Sequence, residues 1–392
     1  MKAINVTIIS YFYLPEYSGA ALQIQEIIRN SDLKKIKYTI IAAQINSNAP
    51  KYEITKDNYT IRRIRIGNNK SIISFWIKLA IELFKIRKST DIIFINGLKP
   101  AHSVAVLMAN ILRKPSIGRL SIAKSDIVFK NQGRIIGPLS KKILNLANKY
   151  IAISTQLKEE IKQSGLCVKK TEIIYNGVNR NIYFPLDKNK KNIQKNQMGY
   201  QGYKILLFVG VIDNRKGVDI LLKAYKKINE AEERTKLILI GPANREDIGN
   251  KYYNSMLNLA SEKRIAEDVE FLGYKSSEEI SRYYQIADIF ILPSRKEGMP
   301  NVIIEAMSCG LPIVGTKISG TEDLVQDKIN GFLVETENIE MLSRAVIRLL
   351  KNTEKIEKMG YESIRIVEKY HNIKKISEKY LSVFNQLILI KD

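Results

Sequence analysis

A chain of 392 residues, 45% of them hydrophobic, is long enough to build two cores. With no run of about 18 apolar residues it is not expected to cross a membrane as a helix. Two cysteines, Cys167 and Cys309, fit no metal-ligand spacing and exclude a disulfide framework, so they read as buried thiols in a reducing cytosol.

The net charge of +23 is uneven: residues 1–200 hold 34 Lys and Arg against 12 Asp and Glu, residues 201–392 hold 29 against 28. A composition rich in Ile, Lys and Asn is what an AT-rich genome produces, but that bias acts on both halves and does not explain the asymmetry. The basic first half points to an anionic partner, nucleic acid or a membrane surface.

In chain order, the apolar start Ile4 to Leu14 is followed at once by Pro15-Glu16 and a helical pattern, so it reads as an opening strand and not a signal segment. Further strands are expected at Tyr38–Ala43, Asp91–Asn96, Ser116–Leu120, Tyr150–Ser154 and Glu172–Tyr175, after the first at Asn5–Ser10. Between them, Ile72 to Arg87 is a helix with one narrow polar stripe of Ser74, Lys78, Glu82 and Lys85. It is either buried between the sheet and its neighbours or dips one face into a membrane. The segment Leu186 to Gln201, dense in Lys, Asn and Gln, reads as a linker. Beyond it, strands are expected at Lys204–Val209, Lys236–Ile240, Val269–Leu272, Ile289–Leu292, Ile313–Thr316 and Gly331–Val334. Strands alternating with helical patterns predict an α/β protein of two doubly wound, Rossmann-like domains facing a central cleft. Their expected bounds are 1–186 and 203–371, with a linker at 187–202 and a last helix within 372–392.

The chemistry concentrates after Ile289–Leu292. Gly298 permits a sharp turn there, Pro300 suits a first helical position, and Asn301 to Ser308 reads as a helix stopped by Gly310-Leu311-Pro312. Glu297 therefore precedes the helix and Glu305 lies inside it. Two carboxylates beside a helix N-terminus suit a ligand rich in hydroxyls that also carries phosphate, the chemistry of a nucleotide-sugar.

The order of motifs around them resembles the retaining glycosyltransferases of family 4, which have the GT-B fold. The residues that carry the likeness are Phe208-Val209-Gly210 with Lys216-Gly217, Leu239-Ile240-Gly241, Phe271-Leu272-Gly273, Ala287-Asp288 and the stretch from Glu297 to Glu305. In the first half Asn176-Gly177-Val178-Asn179 and Phe184-Pro185 also fit.

The resemblance implies that Lys216 contacts the donor diphosphate, Glu305 the ribose and Glu297 the transferred sugar. Backbone through Gly298, Met299 and Asn301 would support that sugar, backbone near Gly273 the base, and Gly19 in the turn Tyr17-Ser18-Gly19-Ala20 would approach the phosphate. The family's Arg after the glycine at Gly210 is Val211 here, with Arg215 as a partial substitute. The family's His near the acceptor is Ser121, and its double glycine is Ser319-Gly320. His102 and His371 fit a structural or surface role, and Asp126 is the candidate to orient the acceptor hydroxyl.

The implied activity is a bacterial, retaining, metal-independent transfer with no cofactor beyond a UDP- or GDP-sugar co-substrate. Its acceptor would be a glycan or lipid-linked molecule of cell-surface polysaccharide or glycolipid synthesis. The protein would be cytoplasmic and peripheral on an anionic membrane through its basic first domain, with Arg62-Arg63-Ile64-Arg65 and Lys85-Ile86-Arg87-Lys88 as candidate contacts. The competing readings are an inactive relative serving as a scaffold subunit, a sugar-nucleotide epimerase or phosphorylase on the same fold, and a nucleic-acid-binding protein. No nucleic-acid module or aromatic-basic interleave supports the last.

Overall fold

The computed structural model describes residues 3–15, 18–45, 48–66, 72–121, 133–243 and 250–389. The chain divides into two compact units, Met1–Gly177 with Ile373–Asp392, and Val178–Asn372.

The first unit carries an eight-stranded sheet. Its strands are β1 (Ile4–Ile9), β2 (Ile36–Gln44), β3 (Tyr52–Ile54), β4 (Thr60–Arg65), β5 (Ile92–Asn96), β6 (Ser116–Leu120), β7 (Lys149–Ala152) and β8 (Thr171–Ile173). The order is β3-β4-β2-β1-β5-β6-β7-β8, with every pairing parallel except β3 on β4. The Ile-rich strands are buried on both faces, as a sheet covered on both sides requires. One face packs on the helix Ile373–Leu389, whose Ile376, Tyr380, Val383, Phe384 and Leu387 recur at helical spacing and join Ile8, Ile40, Ile92, Phe94 and Ile117 in a single core.

The second unit's strands are β9 (Lys204–Val209), β10 (Thr235–Ile240), β11 (Val269–Phe271), β12 (Ile289–Leu292), β13 (Ile313–Thr316) and β14 (Gly331–Val334). They form an all-parallel six-stranded sheet in the order β11-β10-β9-β12-β13-β14. This is the doubly wound arrangement, in which chain progression reverses between β9 and β12.

Each predicted strand occurs within two residues of its expected limits. Two strands were not anticipated. In β4 three arginines mask the alternation, yet Arg63 is buried, reaching Glu53 at 2.9 Å and the carbonyls of Pro50 at 2.8 Å and Leu14 at 2.9 Å. The expected linker is also corrected. Residues Lys188–Gln197 form a helix capped by Asp187, and Lys195 is buried 2.6 Å from Asp288. The preceding segment belongs to the second unit as well, since Ser308 donates to the carbonyl of Tyr183 at 2.6 Å. The first unit therefore ends at Gly177, not at residue 186.

Candidate active site

The reversal between β9 and β12 opens a crevice beyond the carboxyl ends of those strands, the place where doubly wound sheets bind ligands. Three neighbouring strands end there in glycine: Gly210 after β9, Gly241 after β10 and Gly273 after β11. A β-carbon on Gly241 would lie 1.9 Å from the carbonyl oxygen of Gly210, and the Gly273 carbonyl accepts the Gly241 N–H at 2.8 Å. A side chain is thus excluded at Gly241, and with three glycines along this edge backbone can approach a ligand closely.

Lys216 and Glu297 flank the reversal point. Asp213 caps the short turn Asn214–Lys216 by accepting the Lys216 N–H at 3.0 Å, and Gly217 leaves it in the left-handed conformation at φ +69°. Past β12, the Glu297 carboxylate accepts from Lys216 Nζ at 2.6 Å, Ser294 Oγ at 2.8 Å and Arg215 Nη1 at 3.3 Å. Both Lys216 and Glu297 are 8% exposed. Burial pushes the Glu297 carboxyl up, but the ammonium of Lys216 and the guanidinium of Arg215 outweigh it, leaving it below the usual carboxylate range. Glu297 is therefore ionised at neutral pH, and two cations converge on one buried carboxylate.

Glu305 lies on the helix Asn301–Ser308, which begins after Pro300 with no side-chain cap. The hydroxyl of fully buried Tyr284 lies 3.0 Å from Glu305 Oε2. Burial first and the Glu305 charge second raise the Tyr284 hydroxyl well above its ordinary 10, so it stays protonated as a donor. The loop of Gly298 and Met299 rests on Gly320, where a β-carbon would fall 2.1 Å from the Gly298 carbonyl oxygen. Of the Ser319-Gly320 pair, Gly320 is the position that must lack a side chain.

Lys216, Arg215 and Glu297 meet directly; in the same unit Gly273 follows β11, Gly298 and Met299 lie in the loop after β12, and Asn301 and Glu305 lie on the helix Asn301–Ser308. Gly19 opens the helix Gly19–Arg29 in the first unit. Asp126 falls outside the described residues. Arg119 is buried in β6 and donates to Asn96 at 2.8 Å and Asn176 at 2.7 Å. His102 is buried beside Trp76, with Nδ1 accepting the Lys99 N–H at 3.0 Å, and burial pushes the imidazole down to about 4. Among the described residues, no group of three His, Cys, Asp or Glu could hold a metal ion.

Two residues that position the site carried no motif. Arg295 donates to both oxygens of Asp219 at 2.9 Å and to the carbonyl of Asn214, and its own N–H bonds the Arg215 carbonyl at 2.8 Å. It locks the Lys216 turn onto the Glu297 loop. Tyr284 is the other; only its place four residues before Asp288 could have drawn notice.

The family Glycosyl transferases group 1 matches residues 189–365. The chain is 27% identical over 350 residues to an uncharacterized glycosyltransferase of Methanocaldococcus jannaschii, covering 87% of each chain. Its fold is similar to Anabaena HepE in complex with UDP and glucose (TM-score 0.81, 19% identity, 98% of this chain and 100% of that one). It is also similar to the lipopolysaccharide outer core galactosyltransferase WaaB (TM-score 0.70, 16% identity, 98% and 100%). These likenesses show the GT-B fold of two Rossmann-like units.

Proposed function

We propose that this chain, whose residues 189–365 match the group 1 glycosyl transferases, is a glycosyltransferase that moves a sugar from a UDP- or GDP-sugar with retention of configuration. The observation that carries the reading is the convergence of Lys216 and Arg215 on buried Glu297 at the strand reversal. An ammonium has three donors, and one serves Glu297. The others can reach the diphosphate oxygens, where negative charge develops as the glycosidic bond to the nucleotide breaks. Glu297 holds that cation in place and offers its remaining lone pairs to the sugar hydroxyls, while Glu305 takes the ribose. Leaving-group charge is met by Lys216 and Arg215 without a metal, and the acceptor hydroxyl attacks the face the diphosphate leaves. Arg215 occupies the electrostatic role of the family's Arg, in place of Val211.

The acceptor in this reading is a glycan or lipid-linked molecule of surface polysaccharide or glycolipid synthesis, met by a peripheral protein at the inner membrane face. The Anabaena complexes with UDP and UDP-glucose and the lipopolysaccharide enzyme support donor and pathway respectively. Asp126 orients the acceptor hydroxyl. The test is a screen of UDP- and GDP-sugars followed by release of free nucleotide, with the anomeric configuration of the product read by NMR. Absence of turnover with every donor, or an inverted product, overturns the proposal.

A further inference from the structure

The first unit has a second feature that the donor chemistry does not use. The helix Ile72–Lys85 buries Phe75, Trp76, Leu79 and Leu83 but leaves Ile77 61%, Ile81 53% and Phe84 53% exposed, spaced as one line along its outer side. The next helix, Ser103–Ile111, adds Leu107 and Ile111, the latter 62% exposed. Between the two runs a groove lined by Trp76, Ile77, Ala80, Ile81, Ala101 and Val104. The helix Gly133–Leu144 packs beside them and leaves Leu139 exposed. These three helices connect β4 to β5, β5 to β6 and β6 to β7, and right-handed crossovers place them in one layer on one face of the sheet. A contiguous apolar surface of this extent on a charged protein marks a partner.

The surrounding charge identifies the partner. Lys78, Lys85, Lys88, Arg113 and Lys142 are exposed, and the guanidinium of Arg87 stacks on the Phe84 ring at 4.1 Å. The one acid on the first helix, Glu82, is occupied by Arg62 at 2.5 Å. A second copy of this chain would bring cation against cation; an anionic bilayer complements both the charge and the apolar line.

We propose that this three-helix layer is a membrane-docking face, with Ile77, Ile81, Phe84 and Ile111 entering the acyl region and the lysines contacting anionic headgroups. This deepens the reading of a membrane-associated transferase and moves its contact surface. Arg62-Arg63-Ile64-Arg65 is committed to β4, Glu53 and Glu82, whereas Lys85 and Lys88 lie on the docking face. No helix among the described residues is long and apolar enough to cross a membrane, so the contact is interfacial.

The experiment uses the full chain with vesicles of phosphatidylcholine, alone or with about one-third phosphatidylglycerol, at ~0.1 M and ~0.5 M salt. Trp76 is the sole tryptophan, so lipids brominated on their acyl chains should quench its emission if the face inserts. We expect binding to anionic vesicles, a fraction that survives high salt, and quenching. Ile77→Ser/Ile81→Ser/Phe84→Ser should lose the quenching and bind roughly tenfold or more weakly, with nucleotide release from a soluble donor unchanged. Complete release by salt without quenching overturns insertion, as does a triple variant that binds like the parent. A concentration-dependent dimer abolished by the same variant would assign the face to a second copy instead. Vesicle binding needs no substrate and nucleotide release needs no vesicles, so failure here is separable from failure of the transferase reading.

Discussion

Gly217 lies so close to Pro293 that a β-carbon on the glycine would sit 2.1 Å from the proline carbonyl oxygen. That contact joins the turn after β9 to the end of β12, so it fixes the separation of Lys216 from Glu297. The backbone on either side cannot yield without moving one of the two charged groups away from the other.

Gly217→Ala is therefore expected to cost more in activity than in stability. The left-handed conformation alone costs an Ala about 1–2 kcal/mol, and relief of the contact would shift the Lys216 turn. Gly273→Ala is the control: its φ of +64° is similar, yet a β-carbon there meets nothing within 4 Å. Thermal melts should show the larger loss for Gly217→Ala, which adds a clash with backbone to the conformational cost the two variants share. Donor turnover at saturation should fall steeply in Gly217→Ala, while Gly273→Ala raises the donor KM if that backbone faces the base. Equal turnover in both variants would show that the Gly217 contact does not set the site.

Removing one member of the buried pair leaves the other charged in a low-dielectric setting, a change that costs about 3–5 kcal/mol. Lys216→Met should fall at the low end, because Arg215 remains 3.3 Å from Glu297. Replacing both, as Lys216→Met/Glu297→Leu, should recover most of that stability and leave no transfer activity. Chemical denaturation of the two variants, beside a nucleotide-release assay, checks this. A double variant less stable than the single one would mean that the ion pair is a net contributor to folding.

Much of the second unit was legible because its signals are local. Apolar runs bounded by glycine, proline or charged residues locate β9 to β14, and the spacing from Glu297 to Glu305 names both carboxylates. What was hidden depends on partners distant in sequence. The direction of Arg215 follows from Lys216 being anchored by Gly217 against Pro293, which no spacing reveals. The arginines of β4 read as a surface cluster until Glu53 and two backbone carbonyls are brought to Arg63. Likewise the Lys- and Asn-rich segment 188–197 has the composition of a linker, and only the burial of Lys195 against Asp288 makes it a packed helix. In the first unit, the helix Ile72–Lys85 has apolar residues nearly all round, so its pattern could not say which side meets the sheet.

His102 predicts a pH dependence with a defined sign. Its imidazole is pushed from an ordinary 6.5 down to about 4, by burial and then by the charge of Lys99. Between those values the unfolded chain takes up a proton that the folded protein refuses, so stability falls as pH falls. The slope approaches about 1.4 kcal/mol per pH unit, and the loss levels off below the folded value. His102→Gln should flatten the melting temperature across this window. A variant with the parent's slope would assign the effect to other groups.

Tyr284 tests the nucleotide side of the site without touching a charge. Its hydroxyl is buried, stays protonated and lies 3.0 Å from Glu305 Oε2 and 3.1 Å from the Val302 carbonyl oxygen. Tyr284→Phe keeps the ring that packs edge-on against Tyr183 at 5.8 Å, so the fold should lose only about 1 kcal/mol for the missing hydrogen bond. With one hydrogen bond fewer, the Glu305 carboxylate would then be less well aimed at the ribose. Because that contact is made equally in the ground state and the transition state, the donor KM should rise while kcat stays close to the parent. A 2′-deoxyribose donor discriminates further: it should bind the parent less well than the ribose donor, and the gap should narrow in Tyr284→Phe. If kcat falls and KM holds, Tyr284 acts on the reacting centre and Glu305 is not the ribose ligand.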